Sequence, residues 1–534
     1  MKTPHPSASR FQQLFLLLHL LACLGLWLTV GLQTRPQALP DLHLAEGEKL
    51  ACVSYAPYHL PGQTPLDPDT RISREQIASD LAALAPLTRC IRIYAVNQGL
   101  ELVPEIAAQL GLKVLLGAWI GHDPALNRQE LETAIQLANR HPKVIRGLIV
   151  GNEVLLRREQ SEAALKALLD EARSRVQVPV TYADVWEFWL RHPSLADSVD
   201  FITVHILPYW EDEPVAVDQA VSHVGQVRQQ LLEHYGKPVL IGETGWPSQG
   251  RQREAARPGK VEQARYIRSF VHEAHRRDWD YNLIEAIDQP WKRHLEGTVG
   301  GYWGILDTDL HANFPFQGPV AQRNSLTALV LASAGGLMLF GLLALIRKRP
   351  RQDLVAAAIA GVWTGSASWL AWEHGLMAYR NSWEWSVLGG IALAGGLLAL
   401  AHAAGARARQ PFMMADATIQ ARILPGLRSG ILFAAATASL LLLADPRYRD
   451  FPYWLYLLPL PTLAALAWSG TVQTGREEGI LAVVIMLCGL GRWLMEPGNP
   501  EAQAWAMLCL LLGLTGLVRI SKASKTAGAE ASKQ

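Results

Sequence analysis

Hydrophobic and polar positions fall along this chain in three textures. Leu14 to Leu32 runs without Asp, Glu, Lys or Arg, and about 20 such residues cross a bilayer as a helix. From Glu46 to Pro319 charges are spread throughout and no apolar stretch is long enough to span. After Asn324 seven apolar segments follow, at Ser325–Ile346, Leu354–Trp372, Ser386–Ala404, Ile423–Ala444, Tyr453–Gly470, Ile480–Met495 and Ala504–Val518. They are apolar nearly all round and lack the polar face that a helix of a soluble domain carries at helical spacing. The pattern predicts an N-terminal segment (1–13), an anchor (14–32), a globular domain (46–319), a membrane domain of about seven helices (325–520) and a polar tail (521–534). A cleaved signal peptide is the rival reading of the first run. Its apolar core would be shorter, about 7 to 15 residues, and a small-x-small site would follow; none is clear before Arg35 and Pro36, so an uncleaved anchor is favoured.

Within the globular texture, short β-rich runs alternate with helical patterns. The runs are Leu50–Tyr55, Cys90–Tyr94, Lys113–Trp119, Val144–Gly151, Val178–Tyr182, Phe201–His205, Pro238–Glu243 and Leu283–Asp288. Between them lie helical stretches such as Arg74–Ala85, Arg128–Asn139, Glu162–Ser174 and Val261–Arg277. Such alternation predicts parallel strands joined by helical crossovers, and eight strands in about 250 residues close a barrel. A doubly wound open sheet would need a Gly-rich phosphate loop after the first strand, where ACVSYAPYHLPG stands instead. The expected fold class is therefore α/β, a (β/α)8 TIM barrel followed by an all-α multi-span transmembrane domain.

Composition sharpens this picture. Hydrophobic residues make up 50% of the 534 and charged residues 18%, with a mean hydropathy of +0.10; a soluble domain carries about 25% charged residues. The net charge of +1 argues against a general nucleic-acid binder. Lys and Arg stay on the cytoplasmic side of short loops. Lys2 and Arg10 then put the N-terminus inside and the globular domain outside. Tracing eight spans onward, Arg347, Lys348, Arg349, Arg351, Arg407, Arg409, Arg422, Arg428, Arg476, Lys522, Lys525 and Lys533 all fall inside, and only Arg380, Arg447 and Arg449 fall outside. Trp383, Trp385, Tyr448, Tyr453 and Trp454 lie at the outer edges, where amphipathic rings sit. The expected protein is a multi-pass protein of a bacterial inner membrane, with a periplasmic domain and both termini in the cytoplasm. Of the five cysteines, Cys23, Cys488 and Cys509 lie in spans, where they act as small apolar residues. Cys52 and Cys90 lie in the oxidising compartment, where either a disulfide or two buried thiols is compatible with the sequence.

Barrel chemistry sits at the C-terminal ends of the strands. The fourth run ends in LIVGNEV, which brings Asn152 and Glu153 to the mouth, and the seventh ends in VLIGETGWPS, which brings Glu243 there. Two opposed carboxylates suit glycosidic cleavage, where one carboxyl protonates the leaving oxygen and an ionised one meets the oxocarbenium-like centre. A separation of about 5 to 5.5 Å means a covalent intermediate and retention, and about 6.5 to 9.5 Å means inversion. No His/Cys/Asp cluster has metal-ligand spacing, so neither metal nor cofactor is expected.

IRIYA at 91–95, GNEV at 151–154, ETGWPS at 243–248 and DQPWKRHLEGTVGGYWGILD at 288–307 resemble the motifs of glycoside hydrolase family 17, retaining β-1,3-glucan-active enzymes on a (β/α)8 barrel. The resemblance covers about half the chain and implies Glu153 as acid/base and Glu243 as nucleophile. The chain departs from plant members at His205-Ile206-Leu207-Pro208, where an Asn-x-Tyr-Pro pattern is usual, and at Gln289, where many carry Glu. These departures and the attached spans resemble the bacterial membrane-bound branch linked to β-(1,3)/β-(1,6)-glucan synthesis and transglycosylation.

Further site candidates at strand ends are Tyr55, Arg92, Tyr94, Asp184, Trp186, His205, Tyr209, Trp246, Glu285, Trp291, Lys292 and Trp303. Aromatic faces beside charged and amide groups suit sugars, which are apolar plates ringed with hydroxyls. Arg92 near Glu243 would keep a nucleophile ionised. A satisfied core histidine explains His205 as well as a site role does, and Trp119 reads as barrel packing. Arg492, within a span, either snorkels from a helix end or marks a polar cavity. The expected partners are a β-glucan oligo- or polysaccharide, the lipid bilayer and a separate glucan synthase or export complex, with no nucleic acid. The expected activity is that of a membrane-anchored β-1,3-glucanase or β-glucan transglycosylase. The alternative is a non-catalytic glucan-binding or sensing module coupled to the membrane domain.

Overall fold

The computed structural model describes residues 6–42, 48–403, 417–470, 472 and 474–517. The expected tail at 521–534, and with it Lys522, Lys525 and Lys533, lies outside the described residues, as do Lys2, Glu46, Arg407 and Arg409. The chain folds as two compact units, Pro36–Val320, and Met1–Arg35 with Ala321–Gln534.

The first unit is a closed barrel of eight parallel strands in sequence order, as the alternating pattern predicted. The strands are β1 (Val53–Ser54), β2 (Cys90–Arg92), β3 (Lys113–Ala118), β4 (Ile145–Asn152), β5 (Val180–Val185), β6 (Ile202–His205), β7 (Val239–Thr244) and β8 (Asp280–Leu283). Helices between them begin on capping residues where the sequence offers them. Ser73 accepts from the Gln76 N–H, and Asp123 accepts from the Ala125 and Leu126 N–H groups. Each such cap satisfies orphan donors of the first turn.

Period-2 alternation sorts the strand residues onto two faces. One face packs on the surrounding helices in a large apolar core that includes Val53, Ile91, Val114, Leu116, Leu148, Val180, Val204 and Ile241. The other fills the barrel lumen, where Cys52, Cys90, Leu115, Ile149, Ala183 and Leu240 form a small layer of their own. Cys52 and Cys90 are joined as a disulfide there, with Cα atoms 4.3 Å apart. The register explains the pairing: Val53 is level with Ile91, so the preceding cysteines are level too and both face inward.

Two strand limits differ from expectation. The last strand is Asp280–Leu283, not Leu283–Asp288, because beyond Leu283 the backbone turns to other partners. The Glu285 and Asp288 N–H groups donate to Trp303 and Leu306, so Glu285 stands above the sheet and not within it. β5 runs to Val185 and carries Asp184 inside the strand.

The second unit is all helical. Among the described residues, seven helices are long and apolar enough to cross a membrane by length and composition: the one within Arg10–Gln33, then Thr327–Ile346, Arg351–Ala378, Ser382–Ala403, Ile423–Ala444, Arg476–Met495 and Pro500–Leu517. The eighth expected span, Tyr453–Gly470, is instead two short helices, Tyr453–Leu457 and Leu460–Trp468. Pro459 and Pro461 lack the N–H groups that a continuous helix would use there. Thr327–Ile346 and Arg351–Ala378 approach through glycine, since a Cβ on Gly336 would lie 2.1 Å from the Gly361 carbonyl oxygen. Small residues permit such contact between membrane helices. Arg492 is buried and pairs with Glu496 at 2.6 Å at its own helix end, and Arg428 pairs with Glu478 at 2.6 Å.

Candidate active site

Glu153 and Glu243 meet at the C-terminal mouth of the barrel. Glu243 lies in β7, while Glu153 follows β4 directly with a φ of 54°. The preceding Gly151 also has a positive φ, 84°, a left-handed turn that glycine adopts without strain. One carboxylate oxygen of each glutamate and one ring nitrogen of His205 lie within 4.8 Å of one another.

Arg92 organises the floor beneath them. Its side chain crosses the lumen, buried, and Nη1 donates to Glu243 Oε1 at 3.3 Å and to the Gly242 carbonyl at 2.7 Å, while Nη2 donates to Asn152 Oδ1 at 2.5 Å. Gly242 leaves the room for this, since a Cβ there would stand 2.4 Å from Thr203 and 3.4 Å from Arg92 Nη1. Tyr94 donates its hydroxyl to Glu243 Oε1 at 2.8 Å. A guanidinium and a phenol thus converge on one oxygen of that carboxyl.

His205, at the end of β6, is buried between the two glutamates. Nδ1 lies 2.9 Å from Glu153 Oε1, and Nε2 lies 3.3 Å from Arg92 Nη1 and 3.5 Å from Glu243 Oε1. A guanidinium can only donate, so Nε2 accepts and Nδ1 carries the proton that bonds Glu153. Burial pushes the Glu153 carboxyl up, but the His205 bond and the nearby His205, Arg157 and Arg92 groups outweigh it and hold the carboxyl below its ordinary value. These three residues have the spacing of a metal cage. Arg92 Nη1 lies 3.3 Å from His205 Nε2 and from Glu243 Oε1, a fixed positive charge beside two of these donors.

A second acidic group borders the pair. Glu285 is fully buried with its Oε2 accepting from Lys292 Nζ at 2.8 Å. Burial raises its pKa to about 7 despite the opposing lysine. Its Oε1 has no hydrogen-bond partner among the described residues. Asp184 accepts from the Val185 N–H at 2.8 Å and from the Tyr182 hydroxyl, and burial raises it to about 6. Trp186 and Trp291 are half-buried, their indole N–H groups tied to Glu211 and to Gln289 Oε1. Gln289 itself donates to the Ala56 carbonyl at 2.7 Å, so the amide in place of the usual carboxylate serves as a backbone brace.

Four expected sugar contacts turn away from the mouth. Tyr55 is fully buried and donates to Asp80 Oδ2 at 2.8 Å, on the helix side of β1. Tyr209 donates to the Arg251 carbonyl at 2.6 Å and Trp246 to the Arg257 carbonyl at 2.9 Å, both inside the core. Trp303 is 3% exposed, stacked beneath Trp210 with centroids 6.5 Å apart. A large ring at a strand end faces either way, and here burial of apolar area on the helix side wins.

The opposite error concerns Trp119, which is 40% exposed just past β3 and is not barrel packing. Other members were missed. Ser54 and Asn282 support Tyr94 and Gly242 through bonds of 2.7 to 2.8 Å. Glu296 is close enough to Lys292, Glu153 and Glu243 to feel their charges, and burial raises its pKa. The inward alternation Cys52-Ser54 would have found the first; nothing local marks Glu296.

Comparison with known proteins concerns the barrel as a whole. Residues 52–304 match the family model described as the BtgE/BtgC glycoside hydrolase domain. The chain is 29% identical over 44% of its length to the Aspergillus flavus protein named "Probable beta-glucosidase btgE", covering 40% of that protein. It is 26% identical over 44% of its length to the Aspergillus clavatus "Probable glucan endo-1,3-beta-glucosidase btgC", covering 38%. The chain thus spans about 40% of the length of these relatives. Among solved structures, the Rhizomucor miehei family 17 β-1,3-glucanosyltransferase has 24% identity, a TM-score of 0.45, and coverage of 50% of this chain and 98% of that one. The barrel of this chain thus matches the model of the BtgE/BtgC glycoside hydrolase domain, in agreement with the family 17 motifs read from its sequence.

Proposed function

We propose that the protein is a membrane-anchored, retaining β-1,3-glucan-active enzyme that hydrolyses or remodels glucan outside the cytoplasm, in the manner of the bacterial membrane-bound branch of family 17. The observation that carries this reading is the short gap between Glu153 and Glu243, whose nearest oxygens lie within 4.8 Å. That spacing leaves no room for a water between carboxylate and sugar and suits direct attack.

In the first step Glu243, held by Arg92 and Tyr94, attacks the anomeric carbon while Glu153 gives its proton to the departing oxygen. In the second, Glu153 takes the proton of the incoming hydroxyl, and the bond to Glu243 breaks. Water as acceptor gives hydrolysis, and a sugar hydroxyl gives transfer. Asn152, Lys292 and the edges of Trp186 and Trp291 supply polar and apolar surface for the ring. The disulfide supports an oxidising compartment for the barrel.

Purified full-length protein should turn over laminari-oligosaccharides, with products of retained β configuration by NMR. Glu243→Ala should lose at least about 10³-fold in kcat, as removal of a nucleophile does. Absence of turnover by the unaltered protein, with intact binding, would instead favour the glucan-binding or sensing module.

A further inference from the structure

Trp119 stands where the lumen face of β3 opens into the cleft. Leu115 belongs to the lumen layer, and period-2 alternation carries that face through Gly117 to Trp119. The residue is held in place from two sides. Its backbone N–H donates to buried Glu130 at 3.3 Å, the same carboxylate that accepts from the Val96 N–H at 2.7 Å. The Arg157 guanidinium covers its ring at 4.2 Å from the centroid. Arg157 is in turn fixed by Glu159 at 2.6 and 2.9 Å and by the Asn152 carbonyl. A tryptophan that is 40% exposed yet braced this way is a preformed plate, and such a plate binds at small entropic cost.

Its side of the mouth identifies what it would hold. β3 adjoins β4, which presents Glu153, and lies diametrically across the ring from β7, which presents Glu243. The same Arg157 that covers Trp119 lies near enough to lower the Glu153 carboxyl. The sugar next to the acid/base is the one whose oxygen receives or loses the proton, first as leaving group and then as acceptor.

We infer that Trp119, backed by Arg157, forms an acceptor subsite that stacks on the apolar face of a β-linked glucosyl unit and steers the intermediate toward transfer. The inference rests on the proposed roles of Glu153 and Glu243. With the acceptor seated, its hydroxyl oxygen forms the bond to the anomeric carbon. The bond between that carbon and Glu243 breaks with its electron pair returning to the carboxylate, and the hydroxyl proton passes to Glu153. A plate that raises the local concentration of sugar over water favours this outcome.

The test uses the full-length protein in detergent, with a nitrophenyl laminari-oligosaccharide as donor and laminaribiose as acceptor. Nitrophenol release and transfer product are both measured. Trp119→Ala should lower the ratio of transfer to hydrolysis at least tenfold and raise the acceptor concentration for half-maximal transfer, while Trp119→Phe keeps most of the ratio. If Trp119→Ala does not accumulate, Trp119→Leu, which keeps bulk without a flat ring, is read the same way. An unchanged ratio overturns the acceptor subsite even though the enzyme works, as does a loss confined to donor affinity. Absence of nitrophenol release by the unaltered protein overturns the catalytic reading on which it rests.

Discussion

Glu153 Oε1 is held by a ring nitrogen of His205 whose other nitrogen faces Arg92. In the proposed role as acid its proton rides on the other oxygen, and the depressed pKa means that the protonated fraction grows as pH falls. The alkaline limb of kcat/KM reports that ionisation and should lie on the acid side of neutrality. Removing a hydrogen bond to a carboxylate costs about 1.5–3 kcal/mol, so His205→Ala should move the limb up by about 1 pH unit or more. His205→Asn, with its own N–H donor, should move it less; a pH profile of each variant measures the difference. Single residues were legible where their chemistry is tied to a backbone motif, as in Asn152-Glu153 and Glu243. Tyr55, Tyr209, Trp246 and Trp303 were not, because an aromatic ring's place is chosen by the cavity it fills.

At the level of elements, β1 and β2 show how register creates a bond that sequence distance hides. The cysteines are 38 residues apart and meet because the parallel pairing sets them side by side on the lumen face. Closing a loop of that length stabilises the barrel by about 4 kcal/mol in the chain-entropy account. Replacing both Cys52 and Cys90 with Ala should therefore lower the urea midpoint for loss of turnover, and reductant should act on the unaltered protein but not on the variant. Helix limits followed the periodicity closely, as with Glu162–Arg175 and Lys260–Arg276. The strands were harder. β1 has only two residues, and the run after Leu283 looks like a strand but leaves the sheet, because ladder pairing depends on a neighbour and not on the run itself.

For the whole molecule, the count of crossings decides which side each loop faces. Among the described residues seven helices meet the length of a bilayer, and Tyr453–Trp468 is a shorter, proline-broken segment. If the proposed arrangement holds, a reporter fused after Ile346 reads cytoplasmic and one in the loop near Arg447 reads external. A reporter at Gly475 then tests the broken segment, since a cytoplasmic signal there means that it crosses and an external one that it does not. The sequence by itself determined the division into an N-terminal apolar helix, a barrel and later apolar helices, and the two glutamates at strand ends, because hydropathy and periodicity are properties of neighbouring residues. Only the tertiary structure decided the approach of the glutamates to within 4.8 Å, the span of Arg92 across the lumen, the disulfide and the faces taken by the tryptophans. Those depend on barrel closure, which brings together side chains more than a hundred residues apart and leaves each one inward or outward according to the volume that its neighbours leave.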